Sequence, residues 1–126
     1  MDAKQCTTLV SDFLESWESR DIEHIMSFFA DDAVYHNVPV APLVGTAAIR
    51  AVFEAFLAAF TSARLEIISI SGQPDLVLSE RIDHFVMQSG AVVTLPVAGV
   101  FEIRDGKIAR FSDYFDLATF ETASGL

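Results

Sequence analysis

Apart from one short strand-like run at 33–38, the hydrophobic period of this chain changes once, at about Ser62, and that change limits the fold more than any other feature. Before it, apolar residues recur every three or four positions. Residues 2–20 carry the stripe Cys6, Leu9, Val10, Phe13, Leu14 and Trp17, which predicts an amphipathic helix. Asp21 is placed to cap a short second helix with Ile22, Ile25, Met26 and Phe29, ending at Ala30-Asp31-Asp32. Residues 33–38 read as a short strand stopped by Pro39, and a loop runs on through Pro42 to Gly45. Thr46 is placed to cap a third helix whose stripe is Ile49, Val52, Phe53, Phe56, Leu57 and Phe60.

After Ser62 the runs 65–70, 76–87, 92–103 and 107–114 have strand character, with turn residues at Ser71-Gly72-Gln73-Pro74 and Ser89-Gly90. Arg104-Asp105-Gly106-Lys107 is the strongest turn signal, because Asp-Gly supplies the positive φ angles of a tight hairpin. Residues 117–126 read as a short helical turn and tail. Helices first and hairpin-linked strands later predict one α+β domain over 1–126, with helices packed on one face of a curled antiparallel sheet.

Charge narrows the partners. Eighteen acidic against eight basic residues, a net charge of −10, would repel a polyanion, so nucleic acid is excluded as an expectation. The apolar runs stop well short of a membrane span and Met1-Asp2-Ala3-Lys4 opens no leader, which predicts a soluble, cytoplasmic protein. Cys6 is the only cysteine; it allows no internal disulfide and reads as a small buried hydrophobe.

In Glu80-Arg81-Ile82-Asp83-His84-Phe85 the alternation of strand side chains puts Arg81, Asp83 and Phe85 on one side. Charged groups are seldom buried without partners. The same parity sets Asp113 beside Phe111 and Phe115, and Tyr35 shares a face with Asn37. The predicted inward polar set is therefore Tyr35, Asn37, Arg81, Asp83 and Asp113, whereas Thr94 and Ser112 have the opposite parity and are expected to face outward or toward a helix. A plain ion pair, or a solvated edge strand, is the structural alternative. It gives little stability in an apolar interior and no reason for Tyr35 and Asn37 to join the group. Two ionised carboxylates around one guanidinium carry net −1; with one protonated the cluster is neutral, which burial favours. An acid and a base would then share one cavity.

Apolar candidates for its wall are Met26, Phe53, Leu57, Phe85, Leu95, Val97, Phe111, Phe115 and Phe120, each of a type that more often forms plain core. His24, His36 and His84 share no strand face, so no metal site is expected. Asp116 is placed to cap the terminal segment, and Asp31, Asp32, Glu15 and Glu18 read as solvated.

Tyr35-x-Asn37, Arg81-x-Asp83 and Asp113-Tyr114-Phe115-Asp116 together resemble the limonene-1,2-epoxide hydrolase family, within the ketosteroid-isomerase-like and nuclear-transport-factor-like α+β rolls. The resemblance runs from about residue 17 to 121. It implies a cystatin-like roll: a curved, mixed but mostly antiparallel sheet with three N-terminal helices on its concave face. It also implies a one-step addition of water to a small apolar epoxide, giving a vicinal diol. Asp113 would be the base, Tyr35 and Asn37 would position the water, Asp83 would be the acid, and Arg81 would bridge the carboxylates. No metal or organic cofactor is implied, and a homodimer is. The short lead before the first helix and the chain end soon after Phe120 leave open which epoxide fits. Such rolls also host other functions, so a ketosteroid-isomerase-like proton shuttle and a noncatalytic binding or dimerising roll remain the alternatives.

Overall fold

Helix α1 (Ala3–Ser16) starts where Asp2 and Gln5 cap one another: Gln5 N–H donates to Asp2 Oδ1 at 2.7 Å and Asp2 N–H to Gln5 Oε1 at 3.0 Å. In this computed structural model of residues 1–126 the helix tightens into a single 3₁₀ turn, Trp17–Ser19, and stops at Arg20, whose φ of 59° is left-handed. Asp21 caps α2 (Ile22–Met26). The remaining elements are β1 (Phe29–Asn37), β2 (Leu43–Val44), α3 (Thr46–Ala59), β3 (Phe60–Gln73), β4 (Leu76–Met87), β5 (Val92–Arg104), β6 (Lys107–Tyr114) and α4 (Leu117–Ser124).

The fold is α+β, with one curved six-stranded sheet in the order β2-β1-β6-β5-β4-β3. Every neighbouring pair is antiparallel except β1 and β6, which run parallel. Asp105 and Gly106, with φ of 51° and 73°, form the tight β5–β6 turn that the Asp-Gly pair predicts. Burial alternates strictly along β5, so one face of the sheet is covered and the other is open. The larger core cluster lies under α1 and α3, around Phe13, Phe53, Phe101 and Phe111. A smaller one gathers Phe60, Phe85, Val93 and Leu95 at the far end of β3, β4 and β5. No helix is long and apolar enough to cross a membrane.

Several local expectations need correction. Phe29 opens β1 rather than closing α2, and Ala30-Asp31-Asp32 is strand; Phe29 sits in the core opposite Phe13 at 5.2 Å between ring centroids, a contact that outweighs its helical spacing. The N-cap of α3 is Gly45, not Thr46, and no side chain caps that end. Ser71, Gly72 and Gln73 pair with Leu78, Val77 and Leu76, so the β3–β4 turn falls at Pro74-Asp75, where Asp75 has a φ of 63°. Ser112 is buried at 2% exposure although it points away from Asp113, because Arg110 lies over it and donates from Nε to its Oγ at 3.3 Å.

Candidate active site

Strand alternation buries Val77, Ser79, Arg81, Asp83, Phe85 and Met87 of β4 on the covered face. On β6, Phe111 and Asp113 are buried on the same side. The parallel pairing of β1 with β6 then sets Asn37 beside Asp113 and Tyr35 beside Phe111. Five polar side chains from three strands thereby face one space.

Arg81, only 1% exposed, uses four of its N–H groups on two carboxylates. Its Nε and Nη2 donate to Asp83 Oδ1 and Oδ2, both at 2.9 Å. Its Nη1 and Nη2 donate to Asp113 Oδ1 and Oδ2 at 2.9 and 2.8 Å. The guanidinium carbon stands 5.8 Å from the centre of the Phe111 ring. Tyr35 Oη donates to Asn37 Oδ1 at 2.7 Å, which commits the phenol proton and leaves the phenol oxygen and the Asn37 amide N–H groups to meet a ligand.

Burial dominates the electrostatics. It pushes the Asp113 carboxyl above the ordinary 3.8, against the opposing pull of the Arg81 charge and hydrogen bonds and with help from Asp83. Burial also works against the charge of Arg81, but Asp113 and Asp83 outweigh it and hold the guanidinium protonated more firmly than usual. These shifts favour opposite charge states for the two members of one ion pair. Both follow from one count of charge: a single guanidinium balances a single carboxylate, and burial disfavours the charge on the second. Tyr35 is raised well above 10.0 by burial and by Asp113, so it stays a neutral phenol.

A cavity of about 270 Å³ opens beside this cluster. Apart from Tyr35, the polar side chains in its wall are Asn37, Arg81, Asp83 and Asp113; the rest is apolar. Of the apolar residues expected there, Phe85, Leu95, Val97, Phe111, Phe115 and Phe120 line it. Met26, Phe53 and Leu57 do not: Phe53 and Leu57 belong to the core and Met26 is half-buried against it, and Phe53 is fully buried behind the wall, with its ring centroid 5.0 Å from that of Tyr35. The line Ile49, Phe53, Leu57 packs α3 onto the sheet, and the residue turned toward the cavity is Phe56, one step round the helix.

Trp17, Val40, Phe56, Phe60, Leu65 and Leu117 complete the wall without having been singled out. Leu65 escapes a parity reading because the β3–β4 register shifts between Ile67 and Ser69, bringing Leu65 opposite Asp83. Trp17 hides as an ordinary member of the α1 stripe; its indole Nε1 is buried without a partner. Beyond Tyr114, β6 no longer covers β5, and α4 packs there instead, bringing Leu117 and Phe120 to the cavity. Asp116 caps α4, accepting from Thr119 N–H at 3.1 Å. The histidines stay apart: His36 bonds the Val40 carbonyl, His84 bonds Glu66 on the open face, and His24 lies on α2.

Similarity to known proteins follows the same outline. Epoxide hydrolase EphG of Mycobacterium tuberculosis (strain ATCC 25618 / H37Rv) is 29% identical over 108 residues, covering 86% of this chain and 71% of that protein. The solved structure of an M. tuberculosis LEH-like epoxide hydrolase superposes with a TM-score of 0.84 at 26% identity, covering 96% of this chain and 90% of the other. A putative polyketide cyclase from Xanthomonas campestris pv. campestris matches with a TM-score of 0.90 at 21% identity, covering 98% and 99%; at that identity the likeness concerns the fold. The SnoaL-like domain model matches residues 10–111, most of the chain including the whole of β4 and β5, and the protein belongs to that family.

Proposed function

We propose that this protein is a cofactor-independent epoxide hydrolase, adding water in one step to a small apolar epoxide to give a vicinal diol. One observation carries the reading: two carboxylates share a single buried guanidinium inside an apolar cavity, beside a Tyr35–Asn37 pair with free hydrogen-bonding capacity. The similarity to epoxide hydrolases supports it.

In this mechanism a water accepts from the Asn37 amide, donates one hydrogen to Tyr35 Oη and offers the other to Asp113. The raised carboxyl of Asp113 makes it a stronger base than a surface aspartate. As that proton leaves, the water oxygen attacks an epoxide carbon from the side opposite the breaking C–O bond. Asp83 delivers the proton that the pair shares to the departing epoxide oxygen. The diol leaves with Asp113 protonated and Asp83 ionised, so one proton must return before the next turnover. Arg81 stays charged throughout and keeps both acids in place.

Cyclic and aliphatic epoxides incubated in heavy-oxygen water test the proposal. Diols carrying one labelled oxygen, with inversion at the attacked carbon, are expected; absence of turnover across the panel would refute it. A raised carboxyl in an apolar cavity also suits proton transfer at carbon, the rival among roll enzymes. Deuterium wash-in at the carbon next to a ketone would favour that chemistry instead. We also read the open sheet face, where Leu78, Val92 and Tyr114 are about half exposed or more, as the site where a second copy packs. Sedimentation of a monomer at micromolar concentration would count against that.

A further inference from the structure

Arg81 and Asp113 stand on β4 and β6, and β5 runs between them. Neighbouring strands lie about 4.8 Å apart, so the pair spans roughly 10 Å of sheet. The guanidinium must therefore pass over β5 to make its two bonds to Asp113. The residue at that crossing is Gly99, in register with Ser79 of β4 on one side and Asp113 of β6 on the other. A Cβ at position 99 would stand 2.7 Å from Arg81 Nη1, 2.9 Å from Asp113 Oδ1 and 3.0 Å from Ser79 Oγ. Real Cβ atoms essentially never come as close as the first two distances.

The backbone does not ask for glycine here, since Gly99 is not among the positive-φ residues. Glycine inside a strand is conformationally costly and packs nothing, so its presence points to close approach by another group. That group is the guanidinium.

We infer that Gly99 is a positioning residue: its missing side chain leaves a notch in β5, walled by Ser79, through which Arg81 reaches Asp113. The consequence for turnover rests on the hydrolase reading above, whereas the geometry stands without it. The titratable groups around Asp113 are Arg81 and Asp83 on β4 and Tyr35 on β1. Among them only Arg81 favours the ionised carboxylate. A methyl group at position 99 that displaces the guanidinium leaves burial and Asp83 to raise Asp113 further.

The test is Gly99→Ala beside the parent protein. Misplacing a catalytic constellation by about 1 Å can cost on the order of 10²-fold in rate. A loss of that size in kcat with little change in KM is expected, and the acid limb of kcat/KM should move to higher pH. Carbon-13 NMR of the Asp113 carboxyl, which needs no substrate, should show the same upward move. A folded Gly99→Ala protein with parental kcat overturns the inference, and so does a fall in kcat with the Asp113 titration unmoved. Should Gly99→Ala fail to fold, the alanine is placed in a background of Arg81→Met, Asp83→Asn and Asp113→Ala, which removes both groups that would stand nearer than 3.0 Å. There it should not lower the melting temperature; a comparable loss in that background overturns the inference. Failure of the parent to open any epoxide would defeat the hydrolase reading alone, since the titration and the background comparison still decide the role of Gly99.

Discussion

Two arginines in this chain each hold two carboxylates, one at the surface and one in the cavity. Arg50 on α3 donates from Nε to Glu54 at 2.7 Å and from Nη2 to Glu23 of α2, and its side chain is 40% exposed. Arg81 makes the same kind of cluster with its side chain 1% exposed. The outcomes are opposite. At the surface, the Arg50 hydrogen bond and charge hold Glu23 below its ordinary 4.5. In the cavity, burial raises Asp113 although Arg81 grips both of its oxygens. Composition alone therefore does not decide the outcome; at the surface water screens the cluster and the arginine prevails on Glu23, whereas in the cavity its exclusion lets burial prevail on Asp113.

The largest expected contrast is in rate. Asp113→Asn and Asp83→Asn each keep the shape and, under the proposed mechanism, remove its proton acceptor or donor, so epoxide turnover should fall by about 10²- to 10⁴-fold. Glu23→Gln and Glu54→Gln should leave it at the parental value. Steady-state kinetics on folded variants measure this, and a parental rate in either aspartate variant removes that residue from the mechanism. Next comes stability. Arg81→Ala strands two buried acids, and breaking a buried ionic cluster costs about 3–5 kcal/mol. Arg50→Ala leaves its former partners in water and should unfold in urea near the parental midpoint. Equal losses at the two positions would mean that burial is not what separates the clusters.

A third contrast is in pH. The Asp113 carboxyl titrates higher in the folded chain than its ordinary 3.8, so the folded state holds its proton more tightly than the unfolded state. Its stabilising contribution is complete below that ordinary value and is lost as the pH rises through the folded one. Against Asp113→Asn, the parent should therefore lose stability as the pH climbs from about 4 through the raised value. Urea midpoints over a pH series test the sign, and a difference that grows in favour of the parent would contradict the burial account.

The buried cluster was readable from strand parity because Arg81, Asp83 and Phe85 alternate without interruption and Phe111 repeats the phase at Asp113. The Asp-Gly hairpin was readable for an equally local reason, two adjacent positive φ angles. What stayed hidden depends on distant contacts. That β1 runs parallel to β6, setting Asn37 against Asp113, follows from no local pattern. The register shift near Ile68 turned Leu65 toward the cavity, and the choice among Phe53, Phe56 and Leu57 depended on how α3 is rotated over the sheet. Gly99 did carry a signal, a glycine inside a strand without a turn around it, but its meaning required knowing that β5 lies between β4 and β6.

The smallest effect concerns the surface cluster and comes from salt. Glu23 titrates below its ordinary 4.5, so its contribution is present above that value and lost as the pH falls through the lowered one. In about 1 M salt the Debye length shrinks to about 3 Å, and the difference between the parent and Glu23→Gln at neutral pH should vanish. The difference between the parent and Arg81→Met should persist in the same salt, since ions do not enter a contact closed at 2.8 to 2.9 Å within a buried cluster. Melting temperatures of the three proteins at low and high salt make the measurement. A Glu23→Gln difference that survives high salt would show that the side chain acts by packing its stem rather than by its charge, and the surface cluster would then be no electrostatic counterpart to the buried one.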